Sequence, residues 1–557
     1  MKALRKFSYK NLPLRNLALA VIFSLAAATL AAASATDVYV TPDGSPQGVC
    51  TTNPHNPVWF NTASNWGSGV SQIGPGTTVH LCGTFTAGAG ATEFAFQASG
   101  TNGNPIKLLF ESGAIVQAPY FAASGNGMGC GGGVSICNRS YVIIDGGSNG
   151  ILRNTANGEA YASQQDSTGV DAYSCQNCTV SNLSILNIFV KSNFNDTSVD
   201  QAQMRAIAMT GSHWVVSGNT IKNCGWCLFD AYNNGDTDIE IYGNDMSGFA
   251  HALMFATSAA HAAVNPALLF HDNRLHDTNV WDTAGCGYHI DGVHFFGTAG
   301  SSMDGVYMYN NQFAGNWGAC PTGFVFDEGG GSSTPAHMKN FGYWNNVHIL
   351  SGSLGTTTEV NTNGWVDIAS GDSGTQQIYN NTFIGPNNTD NTLCLGLENL
   401  SGVSYENNTF TNCGDPVNIS NTKVVAADYN LYGTQCGNGN NCFIWNGVFT
   451  GSFAAWKASC NCDSHALQNN NPLLNSDGSP QSSSPVIQQG ANLMNIGTGN
   501  LGSLAKDTSD GDVRAPLSRP GGSCSNRGTA TCWDVGAYQY GTANSPNAPS
   551  GLQASVQ

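Results

Sequence analysis

The sequence predicts an all-β protein, a right-handed parallel β-helix, and three observations carry that expectation. Strong helix formers are scarce: charged residues make up only 10% of the chain, while glycines number 68 of 557. Such a composition disfavours helices and suits short strands with tight corners. A short motif also recurs along the middle of the chain. Val216-Ser217-Gly218-Asn219-Thr220-Ile221 returns as Ile241-Tyr242-Gly243-Asn244-Asp245-Met246 and as Phe270-His271-Asp272-Asn273-Arg274-Leu275. It continues as Met308-Tyr309-Asn310-Asn311-Gln312-Phe313, Tyr343-Trp344-Asn345-Asn346-Val347-His348 and Ile378-Tyr379-Asn380-Asn381-Thr382-Phe383. Ser404-Tyr405-Glu406-Asn407-Asn408-Thr409-Phe410 and a degenerate Tyr429-Asn430-Leu431 close the series. Finally, the spacing is that of a solenoid: 25 residues from Asn219 to Asn244, 27 from Asn381 to Asn408, 22 from Asn408 to Asn430. A leucine-rich repeat is the rival solenoid, but its Leu spacing is absent.

Each coil is expected to hold about three short strands, with one apolar residue per strand turned into a shared core. Corners turn sharply, which suits Gly and αL-tolerant Asn, and Asn stacked at one corner can hydrogen-bond along the axis. Taken in order, the elements begin with a leader. Residues 1–15 are basic, 17–33 are apolar, and Ala33-Ser34-Ala35 gives the small-x-small pattern of a cleavage site. Residues 1–35 thus read as a secretory signal peptide, with an uncleaved anchor as the alternative. An N-terminal cap over 36–76 follows, then the β-helix over 77–433. Disulfide-stapled, loop-rich C-terminal coils or cap span 434–541, and a flexible tail spans 542–557. The expected location is secreted, extracellular or periplasmic, and no later stretch is apolar for long enough to span a bilayer.

Charge excludes one class of partner. The formal net charge is −17, and setting aside five leader cations (Lys2, Arg5, Lys6, Lys10, Arg15) from 19 leaves 14 against 36 acidic residues, or −22. Such a chain repels phosphate backbones, so nucleic-acid binding is not expected. The 18 cysteines all follow the leader. In an exported chain they read as disulfides, with Cys130/Cys137, Cys436/Cys442 and Cys524/Cys532 as close pairs. Cys50/Cys82 and Cys394/Cys413 would tie neighbouring segments. Cys175/Cys178 and Cys224/Cys227 also have zinc-ligand spacing, so oxidation and metal binding are both open for them.

Beyond the repeat, Asp37-Val38-Tyr39-Val40-Thr41-Pro42-Asp43-Gly44-Ser45 and Pro75-Gly76-Thr77-Thr78-Val79-His80-Leu81 resemble the opening of secreted β-helix proteins. Asp507, Gly511 and Arg514, with Asp534-Val535-Gly536-Ala537-Tyr538-Gln539-Tyr540, resemble their terminal motif. Over roughly residues 37–541 the chain resembles the pectate-lyase-like superfamily. That resemblance implies the fold and leaves activity open, because the superfamily spans lyases, hydrolases, epimerases and non-catalytic surface proteins.

Candidate chemistry lies in the expanded coils. Asn273 to Asn311 is 38 residues, and the next two spacings are 35 each, so these coils are expected to carry loops that wall a groove. Inside the longest stands Tyr288-His289-Ile290-Asp291-Gly292-Val293-His294. It resembles the Asn-x-Asp-Gly-Ile-Asp motif of polygalacturonase-like hydrolases, which maps Asp291 onto a catalytic carboxylate and puts His289 and His294 in place of Asn and Asp. The other motifs of that family are missing. With Ile290 inward, alternation puts His289 and Asp291 outside and lets Gly292 break the strand. Aligning coils by their apolar strands then gives one outer strip of Asp230, His251, Asp291, Asp327 or Glu328, and Asp367. Carboxylates one or two coils apart fall near the spacings of retaining and inverting glycosidases. Trp226, Trp281, Tyr288 and Trp365 are candidate sugar-stacking residues, with core packing as the alternative for each.

The leading expectation is a secreted polysaccharide-cleaving glycoside hydrolase acting as a monomer. A polysaccharide lyase, calcium-assisted where the substrate is anionic, is the second reading. A non-catalytic glycan-binding or surface protein is the third. No cofactor is certain from the sequence; calcium among the acidic loops and a His/Asp metal site both stay open.

Overall fold

Among the described residues thirteen parallel strands, running in chain order from Asp37–Val40 to Val424–Asp428, stack one per coil into a single sheet. The structure is a computed structural model. It describes residues 34–125, 129–157, 165–188, 204–233, 235–260, 266–282, 290–297, 301–327, 337–351, 366–368, 373–385, 393–433, 443–469, 471–491, 493, 533–538 and 540. Strands on the other faces of the coils form a second, larger parallel system. Among the described residues its single antiparallel strand pair is Phe443–Trp445 with Val448–Thr450. This is the right-handed parallel β-helix that the repeat predicts.

Short alternating strands make the core. In Ile106–Phe110 every second side chain is buried. Register then stacks like on like: Val38, Val79, Leu108, Ile144, Val180, Val216, Ile241, Phe270, Met308, Tyr343, Ile378, Tyr405 and Ala427 form one inward column. A second column runs Val134, Val170, Ile207, Leu228, Leu253, Val293, Val325, Val366, Leu395, Val417 and Phe443. Burial of these columns is the main stabilising term, as it is in solenoids generally.

The two polar residues of the repeat divide the work of the corner. The first takes the left-handed conformation: Gly218, Gly243, Asp272, Asn310, Asn345, Asn380, Asn407 and Tyr429 all have φ between 53° and 66°. Their second-position neighbours turn inward and form a ladder. Asn219, Asn244, Asn273, Asn311, Asn346, Asn381, Asn408 and Asn430 are linked by Nδ2–H···Oδ1 bonds of 2.9–3.2 Å. The backbone N–H of each also donates to the Oδ1 of the next, up to Asn408. Asp463 ends the ladder, its carboxylate accepting from Asn430 Nδ2, Tyr432 Oη and Trp456 Nε1.

Disulfides join Cys50–Cys82, Cys130–Cys137, Cys175–Cys178, Cys224–Cys227, Cys394–Cys413 and Cys460–Cys462. Both CxxC pairs are therefore oxidised rather than metal-ligating. The Cys436/Cys442 and Cys524/Cys532 pairs, and the leader and tail, lie outside the described residues. Among the described residues no helix is long and apolar enough to cross a membrane.

Candidate active site

The site forms where strands of neighbouring coils bend together. In Met204–Met209, Thr220–Asn233, Asp245–Thr257, Ile290–Gly297 and Pro321–Asp327, two successive positions face the core: Ala206/Ile207, Cys227/Leu228, Ala252/Leu253, Gly292/Val293 and Phe324/Val325. Residues on either side of such a doublet share the outer face although they are three apart. Parallel register turns this into two outer rows. Arg205, Trp226, His251, Asp291 and Gly323 make the first. Ala208, Phe229, Met254, His294, Phe326 and the backbone position of Asp367 make the second.

The rows converge on Asp291. Its Oδ2 lies 3.4 Å from His251 Nε2, one coil back, and 3.4 Å from His294 Nδ1 on its own strand. All three side chains are buried, Asp291 completely. The imidazoles of His251 and His294 have centroids 5.4 Å apart, and His294 also meets Phe296 and Phe326. Trp226 stacks on Phe229 at 5.2 Å and turns an edge to His251 at 6.4 Å. The Trp226 Nε1–H is buried with no acceptor among the described residues.

Five residues depart from the sequence expectation. Asp291 is not solvent-facing. Ile290 belongs not to the coil core but to a separate cluster with Met204, Ala250, Trp281 and Cys320. Gly292 does not break its strand, which runs on to Gly297. A Cβ there would come 2.2 Å from Phe324 O, so the glycine is required by the close approach of the next coil. Asp230 and Asp327 leave the outer strip altogether. They occupy the register of Phe255 and Phe295, both core residues, because the inward doublet reverses the alternation beyond it. Trp281 is fully buried, its Nε1 donating to Gly248 O, and is a packing residue. His289, Tyr288, Glu328 and Trp365 lie outside the described residues.

One residue of the site was not assigned to it from the sequence. Arg205 is buried, with its guanidinium carbon 3.8 Å from the centre of the Phe229 ring and 5.4 Å from that of Trp226. Its Nη1 donates to Ser124 Oγ at 2.9 Å. A cation held over aromatic faces extends the cluster into a cationic and aromatic margin. The signal was a lone Arg in the apolar run Met204-Arg205-Ala206-Ile207. Nearby Asp171 is pushed up to about 6 by burial, against the N–H groups of Gly131 and Tyr173 and the charge of Arg205.

No protein-family model matches the chain, and no curated protein matches it. Solved structures do. One is a GH136 lacto-N-biosidase from Eubacterium ramulus, at 12% identity over 70% of this chain and 67% of the other, with TM-score 0.43. A family 28 exopolygalacturonase from Yersinia enterocolitica matches at 12% identity over 70% and 78%, with TM-score 0.39. A pectate lyase matches at 12% identity over 92% and 98%, with TM-score 0.31.

Proposed function

We propose that the protein is an exported carbohydrate-active enzyme that cleaves a polysaccharide at the Asp291 centre. The observation carrying this reading is the outer-face carboxylate of Asp291, set 3.4 Å from two imidazoles, one of which, His251, meets the edge of Trp226. The disulfides among the described residues are what supports export, since oxidised cysteines belong to oxidising compartments. In hydrolysis one acid and one base act on opposite sides of the glycosidic bond. With Asp327 in the inward register, an imidazole of His251 or His294 is the partner best placed to exchange a proton with Asp291 or a substrate oxygen. The unfilled N–H of Trp226 would find its acceptor in a sugar hydroxyl.

Imidazole neighbours also favour a second cleavage chemistry, β-elimination, in which a neutral histidine removes a proton beside a uronate carboxylate. The complete burial of Asp291 favours a non-catalytic glycan-binding role, in which the cluster only braces the bend. A polysaccharide panel separates the three. Reducing ends without ultraviolet absorbance indicate hydrolysis, both signals together indicate elimination, and neither indicates binding alone. Asp291→Asn is nearly isosteric and should lower turnover about a hundredfold or more, the scale expected when a general acid or base is lost. Full activity with a lowered unfolding midpoint would make Asp291 a structural residue.

A further inference from the structure

We propose that His251, Asp291 and His294 bind one divalent transition-metal ion, with zinc the best match. The inference goes beyond the cleavage reading and holds without it. The three donor atoms lie within 4.8 Å of one another, and no other group of three such residues is this close among the described residues. The inward doublet Gly292/Val293 brings Asp291 and His294 to one face, and the coil repeat adds His251 from the adjacent strand.

The distances distinguish this cluster from an ordinary hydrogen-bonded one. Elsewhere among the described residues, imidazole–carboxylate pairs fall within the hydrogen-bond range: His80–Glu111, His213–Asp238, His276–Asp245 and His465–Asp428 at 2.7 Å, His271–Asp272 at 2.8 Å, His80–Asp37 at 3.1 Å and His271–Glu240 at 3.2 Å. In the buried cluster one carboxylate oxygen stands 3.4 Å from both nitrogens. Ligands at about 2.0–2.1 Å from a tetrahedral zinc are separated by about 3.3–3.4 Å, the edge of the tetrahedron. Two edges therefore have the length a shared zinc would impose, and both exceed the usual hydrogen-bond range. Two imidazoles and one carboxylate suit zinc and its neighbours rather than calcium, which takes six to eight oxygens. Three protein ligands leave a fourth position for water or substrate, as in catalytic zinc sites. If the protein also hydrolyses a polysaccharide, the ion would supply an activated water as nucleophile, and Asp291, His251 and His294 would act as its ligands in place of the proton-transfer roles given above.

The test uses untagged full-length protein exported by its host, analysed for bound metal, stripped with chelator and then titrated with Zn²⁺ and Co²⁺. About one equivalent of metal per chain is expected, and the Co²⁺ form should show the strong visible absorption of a tetrahedral site. Asp291→Asn and His294→Ala should each weaken binding by more than about a hundredfold, beyond the usual effect of losing an outer-sphere partner. His276→Ala, which removes a largely buried pair with Asp245 away from the cluster, should leave binding unchanged. Binding well below one equivalent, or binding unaffected by both cluster variants, overturns the proposal. If Asp291→Asn does not fold, the His294→Ala titration and the wild-type Co²⁺ spectrum decide. Polysaccharide cleavage by chelated, metal-free protein would retain the cleavage reading and reject the metal as its agent. Stoichiometric metal binding without cleavage would keep the site and drop the cleavage reading.

Discussion

Two adjacent residues of one corner should respond oppositely to mutation. Asn381 sits in the ladder: its Nδ2 donates to Tyr343 O at 3.0 Å and Asn408 Oδ1 at 2.9 Å. Its Oδ1 accepts from the backbone N–H of Asn346 at 2.9 Å and from Asn346 Nδ2 at 3.1 Å. Asn381→Ala removes all four bonds. Asn346 Nδ2 keeps Met308 O, and Asn408 Oδ1 keeps the backbone N–H of Asn381. Two buried backbone groups, Tyr343 O and Asn346 N–H, lose these partners. Tyr343 O keeps the ladder bond from Tyr379 N–H that the register gives it, so the Asn346 N–H is the group left unsatisfied. The expected cost is the penalty of one such buried group, about 1–3 kcal/mol beyond the bonds lost. Asn380, one residue earlier, has φ of 53°, and its buried amide has no hydrogen-bond partner among the described residues. Glycine takes that conformation without strain, so Asn380→Gly should stay within about 1 kcal/mol of wild type. Urea unfolding followed by tryptophan fluorescence, compared at equal slope, reads the difference. Equal midpoints for the two variants, or a larger loss for Asn380→Gly, would refute the division of the corner into a conformational and a hydrogen-bonding residue.

Other expectations follow from burial and covalent closure. Burial raises the carboxyl of Asp415 to about 7, well above its unfolded value of 3.8. Below about pH 4 both states are protonated and the burial has no ionic cost; above about pH 7 both are ionised and the cost is complete. Asp415→Asn should therefore stabilise the protein increasingly from pH 4 to 7, reaching about 2–4 kcal/mol and then levelling, as a pH series of urea midpoints would read. A constant difference between variant and wild type across that series would contradict the assignment. Cys394–Cys413 closes a separation of 19 residues between neighbouring coils. Replacing both cysteines by serine should lower stability by about 2–4 kcal/mol, and an unchanged midpoint would count against it.

The fold was legible because the repeat is written in side chains that the corner needs. Positive φ admits few residues, so Gly218, Gly243, Asp272, Asn310, Asn345, Asn380 and Asn407 mark the turn. The following position is Asn throughout because a primary amide both donates and accepts, and each rung must do both. Tyr429 is the exception that looked degenerate, yet it takes φ of 56°, and Asn430 still makes its rung. The expanded spacing after Asn273 was equally readable, since Asn273 and Asn311 remain bonded across 38 residues. Insertions between rungs do not disturb the ladder.

The site was only partly legible, and the reason is a parity reversal. Alignment by apolar residues assumes strict alternation, under which Asp230 and Asp327 share a face with His251 and Asp291. Each of these strands instead places two residues inward in succession, as at Ala252/Leu253 and Gly292/Val293, so every position beyond the bend changes side. Composition cannot reveal this, because a small residue followed by a branched one also fits an ordinary alternating strand. The same reversal is what gathers the cluster. With simple alternation Asp291 and His294 would point to opposite faces; with the doublet they meet outside, and His251 joins them from the neighbouring coil. Chemistry placed at the bend therefore draws two donors from one strand and a third from the next. On a straight stretch of the same sheet, neighbouring residues of one strand point to opposite faces.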